Sequence, residues 1–189
     1  ALIFMVLGSF IYQQPVSAVS IDSTSSIEIY FNRFHRVVDV VKYDENGELS
    51  TEEINVTNKN FEEVIEEILT ITESEEVYIT VASSDEETST QMIDKLSHHQ
   101  EMMQNMQIYQ STKETMQEAR DCGTSMGRMH AMHQLQESDI EDSQSDIEGE
   151  STKDLMKAAE KHHQEMMEGN GMHHHGEKNS GHMKHHNHK

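Results

Sequence analysis

The chain has 189 residues, with 35 Asp and Glu against 14 Lys and Arg, a formal net charge of −21. Hydrophobic residues make up 34% and mean hydropathy is −0.75, so one core running end to end is excluded and one or two domains are expected. The charge argues against nucleic acid, whose phosphates would repel the chain, and equally against an anionic membrane surface; the single cysteine, Cys122, excludes an intrachain disulfide framework.

The first twelve residues, Ala1 to Tyr12, are almost wholly apolar. A spanning helix needs about 20 apolar residues. The stretch therefore reads as the outer end of a membrane span that begins before Ala1, or as the apolar region of a signal peptide with Val16-Ser17-Ala18 as a cleavage-like site. Residues 1–18 are taken as this segment and its connector.

Val19 to Tyr43 reads as a β-hairpin. Ile27, Ile29 and Phe31 alternate with Glu28, Tyr30 and Asn32, the period that turns one face of a strand to a core. A second β-branched run, Val37 to Val41, follows, so Arg33 to Arg36 must hold the turn. Asp44-Glu45-Asn46-Gly47 is a turn cluster, and Glu52 to Thr57 is expected to hold a short strand. Asn60 and Glu63 form a capping box for a helix whose Phe61, Val64, Ile65, Ile68 and Leu69 make one apolar stripe. Val77, Ile79 and Val81 form another strand. Ser84 and Glu87 are expected to cap a helix running through Met92, Leu96, His99 and Met103.

Beyond Gln110, Gly123 has the place of a helix C-terminal residue and Ser125 that of the next N-cap. Met126 to Gln136 reads as a helix with Met126, Met129, His130 and His133 on one face. Residues 137–150 are acidic and Ser-rich, a linker. Thr152 to Glu168 reads as a last helix with Leu155, Met156 and Ala159 inward. The fold class is α+β: a small antiparallel sheet packed with helices on one face at residues 19–110, a helical extension at 111–168, and a disordered His/Met-rich tail at 169–189.

Two stretches resemble the middle, extracytoplasmic domain of the RsgI-type anti-sigma factors. Asp22, Ser26, Ile27, Glu28, Asn32, Arg33, Phe34, Arg36 and Val37 match that family's opening strand and turn; Ala119, Gly123, Ser125, Gly127 and Arg128 match its later helix-to-helix turn. The resemblance implies a cytoplasmic sigma-binding domain, one membrane span, then this domain outside the cytoplasm, with a sigma factor as partner of the cytoplasmic part. Autoproteolysis at an Asn-Pro pair is associated with the family. Here Thr24 and Ser25 stand at those two positions, and His35 replaces the family's turn glycine.

Histidine and methionine, 14 of each, carry the remaining chemistry. HHQEMM occurs twice, giving the i, i+4 pairs His98–Met102 and His99–Met103, then His162–Met166 and His163–Met167. Thioether suits Cu(I), and imidazole suits copper, zinc or nickel. His173, His174, His175, His182, His185, His186 and His188 follow in a Gly- and Asn-containing tail suited to metal rather than to a core. No metal or other cofactor is required for the fold. There is no G-x-S-x-G, phosphate loop or H-E-x-x-H, so no enzyme is expected. Two functions fit. One is the outer, regulatory or signal-sensing domain of a single-pass anti-sigma factor with a metal-binding tail. The other is a surface metal-binding protein, for copper buffering or tolerance, that uses an RsgI-like fold.

Overall fold

The computed structural model describes residues 12–45, 47–50, 54, 56, 58–72, 76–100, 105–136 and 150–170, with the side chains of 71 and 165–170 excluded. Its elements are β1 (Ser17–Asp22), β2 (Ser26–Phe31), β3 (Val37–Tyr43), α1 (Phe61–Ile71), β4 (Val77–Ser83), α2 (Glu86–Gln100), β5 (Met106–Gln110), α3 (Lys113–Cys122), α4 (Met126–Gln136) and α5 (Thr152–Asn170).

The strands form one sheet of order β3-β2-β1-β4-β5. All neighbours are antiparallel except β4 and β5, which are parallel and joined through α2 as a βαβ unit. The expected hairpin is β2–β3. Its turn is held by Asn32, whose side-chain oxygen accepts from Phe34 N (2.9 Å) and Arg36 N (3.1 Å). His35 has φ of 55°, the left-handed conformation a glycine would take here, which histidine tolerates better than most residues.

The sequence reading placed helices on one face of the sheet; the structure has them on both. On the first face, Val19, Ile21, Ile29, Phe31 and Ile79 pack against Phe61, Val64, Ile65 and Ile68 of α1 and Met92 and Leu96 of α2. On the second, Ala18, Tyr30 and Ala82 meet Met116 and Ala119 of α3 and Met126 and Met129 of α4. Tyr78, on the same side, is covered by Ala131 and Leu135 of α4 and Leu155, Met156 and Ala159 of α5. The reason is the size of the residues on that side. β1 presents Ala18 and Ser20, and β4 presents Thr80 and Ala82, paired across the strands. Small side chains leave room for a layer of flexible methionines. Met92, Met126 and Met129 are buried, as helical spacing suggested.

Three further expectations are corrected. Ser17 and Ala18, taken as the end of the connector, open β1, the central strand; short side chains disguise it, though Val19 and Ile21 keep the strand period. Met106–Gln110 is a strand, β5, hidden by its polar glutamines. The N-cap of α2 is Asp85, whose Oδ2 accepts from Thr88 N at 2.9 Å, rather than Ser84 one residue earlier. The Asn60–Glu63 capping box is present in both directions. Of the expected strand at 52–57, Ile54 and Val56 are described and lie outside any strand, though Val56 is buried; the other four residues lie outside the described residues. Met103, expected in the helix ending at Gln100, also lies outside them.

Candidate functional site

The second face of the sheet holds two carboxyl groups sealed from solvent. Asp22 ends β1 and Glu28 lies in β2, and both side chains are fully buried. The strand register pairs Asp22 with Ser26 and Ser20 with Glu28, so the carboxyls are near neighbours on one face. What covers them is the N-terminus of α4. Gly123, with φ of 69°, ends α3 in the left-handed conformation, and its N–H donates to the carbonyls of Ala119 and Arg120. Ser125 then caps α4: its Oγ accepts from Arg128 N at 3.2 Å and donates to Asp22 Oδ1 at 3.3 Å. Ser20 Oγ donates to the same oxygen at 3.2 Å. Met126 N donates to Glu28 Oε2 at 2.9 Å. Gly127 lies so close that a Cβ built there would stand 1.9 Å from Asp22 Oδ2.

The electrostatics follow from this burial. Desolvation raises the Asp22 pKa from 3.8 to about 6, against the opposing effect of serine hydroxyls around it. It raises that of Glu28 from 4.5 to about 7, opposed by the Met126 N–H and reinforced by the neighbouring Asp22 charge. The positive end of the α4 dipole favours the charged forms. The Arg120 guanidinium, which acts weakly on Glu28, lies over the Tyr30 ring, 4.8 Å from its centroid, and pairs with Asp39 at 3.2 Å. The Ser26 and Tyr30 hydroxyls, buried with Asp22 and Glu28, also favour the charged forms, though they do not close into well-formed hydrogen bonds with Asp22 Oδ2 or Glu28 Oε1. Chemically this is a clamp: closed to substrate, it ties a helix to a sheet through groups whose charge depends on pH.

Arg128 extends the clamp outward. Its Nη1 donates to Glu150 O at 2.6 Å, tethering the start of α5, and its side chain runs under Gly47. Gly47 has φ of 80°, and a Cβ there would meet Arg128 Cδ at 2.9 Å, so the Asp44–Gly47 turn needs glycine for both reasons.

A family model described as the anti-sigma factor RsgI-like central domain matches residues 16–134. The chain belongs to this family. No curated protein matches it. The matched region begins at β1 and ends within α4, so it contains the whole sheet, both helical layers against β1 and β2, and the entire clamp. The two stretches that resemble RsgI-type proteins are the two halves of this site. Asp22 and Glu28 come from the first, Ser125 and Gly127 from the second, across 98 to 103 residues of chain. Each residue could be matched in the sequence; that they touch could not be read there, because nothing in local spacing pairs distant segments. That Arg120 and Tyr30 lie beside this site was not read from the sequence.

The Thr24–Ser25 peptide, at the family's Asn-Pro position, lies in the β1–β2 turn. Ser23 N donates to Ser25 O at 3.1 Å, and Thr24 is exposed.

The residues read as metal ligands are placed as follows. His98 and His99 lie in the last turn of α2, with ring centroids 6.4 Å apart. His162 and His163 lie in α5. Because α2 covers the first face of the sheet and α5 the second, the two HHQEMM copies are rooted on opposite faces. Met102, Met103 and the tail histidines 173–188 lie outside the described residues, as do the side chains of Met166 and Met167. Among the described residues, no three His, Cys, Asp or Glu converge on a metal-sized site. His133, expected on the inward face of α4, instead meets Glu118 of α3 at 3.1 Å, and His130 lies beside Tyr109 at 5.8 Å between centroids.

Proposed function

We propose that this chain is the extracytoplasmic, regulatory region of a membrane-anchored anti-sigma factor, following a single span and a cytoplasmic part that holds the sigma factor. The observation that carries this reading is the junction between the apolar Ala1–Tyr12 run and the family domain, which the family model begins at residue 16. Only three residues separate them. Among the described residues no helix is long and apolar enough to cross a membrane; the apolar Ala1–Tyr12 run is the proposed anchor. The domain's role is regulatory: its buried, proton-dependent clamp gives it an element whose state can vary with conditions outside the cell. Protease added to intact protoplasts should digest everything after Pro15. Complete protection overturns the topology.

A second role belongs to the histidines and methionines. The repeated HHQEMM and the seven tail histidines support binding of copper, zinc or nickel by the C-terminal part, as a ligand of the regulatory domain or as cargo. A chain that binds metal strongly without any cytoplasmic sigma-binding partner would favour the surface metal-buffering role. Sequencing the reading frame upstream of Ala1 separates the two.

A further inference from the structure

Among the described residues, three large hydrophobics are exposed: Tyr12 at 39%, Phe34 at 58% and Leu49 at 65%. Leu49 stands alone, but Tyr12 and Phe34 stack, with ring centroids 5.9 Å apart. Tyr12 is the last residue of the apolar run, and it is fixed at one end to the β2–β3 turn and at the other to the segment before α1. Its carbonyl accepts from Asn32 Nδ2 at 2.8 Å, and its hydroxyl donates to Asn58 Oδ1. Wherever the apolar run goes, it leaves from beside Phe34.

The charge at this corner departs from the rest of the chain. No charged residue precedes Asp22, and the turn reads Asn-Arg-Phe-His-Arg. Arg33 is exposed, and His35 and Arg36 are half-exposed beside it. Among the described residues, Glu62 of α1, which feels His35, is paired with Lys95, and Asp39 of β3 is paired with Arg120. The Asp85–Glu87 run opens α2 at the same end of the sheet, after β4. From β2 it is two strand spacings away, about 10 Å, or roughly one Debye length at physiological salt.

We propose that the β2–β3 turn docks on the headgroup layer of an anionic lipid bilayer, with Tyr12 and Phe34 as interfacial aromatics and Arg33 and Arg36 toward the lipid charge. This rests on the membrane-anchored reading above. Amphipathic rings favour the headgroup level, and basic residues close to the surface are attracted by anionic lipid over a Debye length. The chain's overall negative charge tilts the sheet rather than preventing contact: the basic corner goes down and the acidic start of α2 is held up. The sheet, and the clamp on its second face, then take a fixed orientation above the membrane.

The chain has no tryptophan, so Phe34→Trp and Leu49→Trp each introduce one reporter. Leu49 bridges to Tyr43, at the far end of the seven-residue β3, about 20 Å from the turn. The full chain is reconstituted into vesicles of phosphatidylcholine and phosphatidylglycerol containing brominated lipid, and protein that floats with the vesicles is measured. Phe34→Trp should be quenched roughly twofold more than Leu49→Trp, as expected of a ring at headgroup depth. Adding Arg33→Glu should reduce that quenching. Both positions are exposed, and circular dichroism checks that the fold is kept. Floated protein with equal quenching at the two positions overturns the docking while leaving the anchor intact. Protein that does not float overturns the anchor and the docking with it. Quenching unmoved by Arg33→Glu overturns the electrostatic part of the contact.

Discussion

The carboxylate of Asp22 occupies the space in which a side chain at residue 127 would begin: a Cβ on Gly127 would lie 1.9 Å from Oδ2 and 2.6 Å from Cγ. Gly127 is in the first turn of α4 with an ordinary helical backbone, so its lack of a side chain serves the close approach rather than a special conformation. Helix propensity alone would favour alanine there. Gly127→Ala must therefore lift α4 from the sheet or displace a buried carboxyl. We expect a loss of about 1–3 kcal/mol, the usual scale of overpacking, seen as a lower midpoint in thermal or urea unfolding. An unchanged or raised midpoint would contradict the clamp geometry.

The clamp also fixes the sign of the pH response. Asp22 and Glu28 have folded pKa values near 6 and 7, above their ordinary 3.8 and 4.5. Between those limits the folded state binds more protons than the unfolded one, so stability falls as pH rises. The contribution is fully present below about pH 4 and is lost as pH rises through about 6 and 7, at most on the order of 6 kcal/mol for the pair. Glu28→Gln keeps the shape and removes the charge. It should flatten the fall in unfolding midpoint from pH 5 to pH 8 and be more stable than the parent at pH 8. Glu62 and Asp85, whose pKa values are lowered by hydrogen bonds to Lys95 and Thr88, act in the opposite direction but lie near the surface. An identical pH profile in the Gln variant would remove Glu28 from this role.

How far the sequence revealed this arrangement depends on the range of each signal. The β2–β3 hairpin, α1 with its Asn60 box, the Gly123 stop and the Ser125 cap are local patterns, and each stands where the spacing put it. β1 was lost because Ser17, Ala18 and Ser20 are small, and small is what the methionine layer above them requires. A single alternating face suggested one helical layer, whereas Glu28 and Tyr30, polar by type, lie beneath a second. The family motifs supplied the residues of the clamp. Their meeting depends on the sheet order, with β1 between β2 and β4, which no local pattern encodes.

The Thr24–Ser25 peptide should stay intact. The family's cleavage is associated with Asn and Pro, and an Asn side chain can assist scission of its own peptide bond, a group that Thr24 does not supply. The surrounding turn is well formed, with Ser23 N bonded to Ser25 O and flanked by the Asp22–Ser26 pair. Intact mass measured on purified protein after prolonged incubation should match the uncut chain. Two fragments meeting at that bond would show that the chemistry does not need asparagine.

Metal binding should survive in the C-terminal part and leave the domain fold untouched. Leu155, Met156 and Ala159 are the buried anchors of α5, and all precede Glu160. A truncation after Glu160 therefore keeps the helix seated while removing His162–Met167 and the tail. Calorimetry with Cu(I), Cu(II), Zn(II) and Ni(II) should show several equivalents on the full chain and little on the truncation, beyond weak binding at His98–Met103. Metal must displace protons from imidazole, so affinity should drop as pH falls through about 6.5. This is the reverse of the clamp, which tightens on acidification, so the two responses can be told apart in one pH series. Unfolding midpoints of the truncation should be unchanged by metal, since the cores on both sheet faces are complete without it. Equal capacity in both chains would assign the tail no role in binding. Affinities no tighter than about millimolar in either, roughly 4 kcal/mol, would end the metal reading.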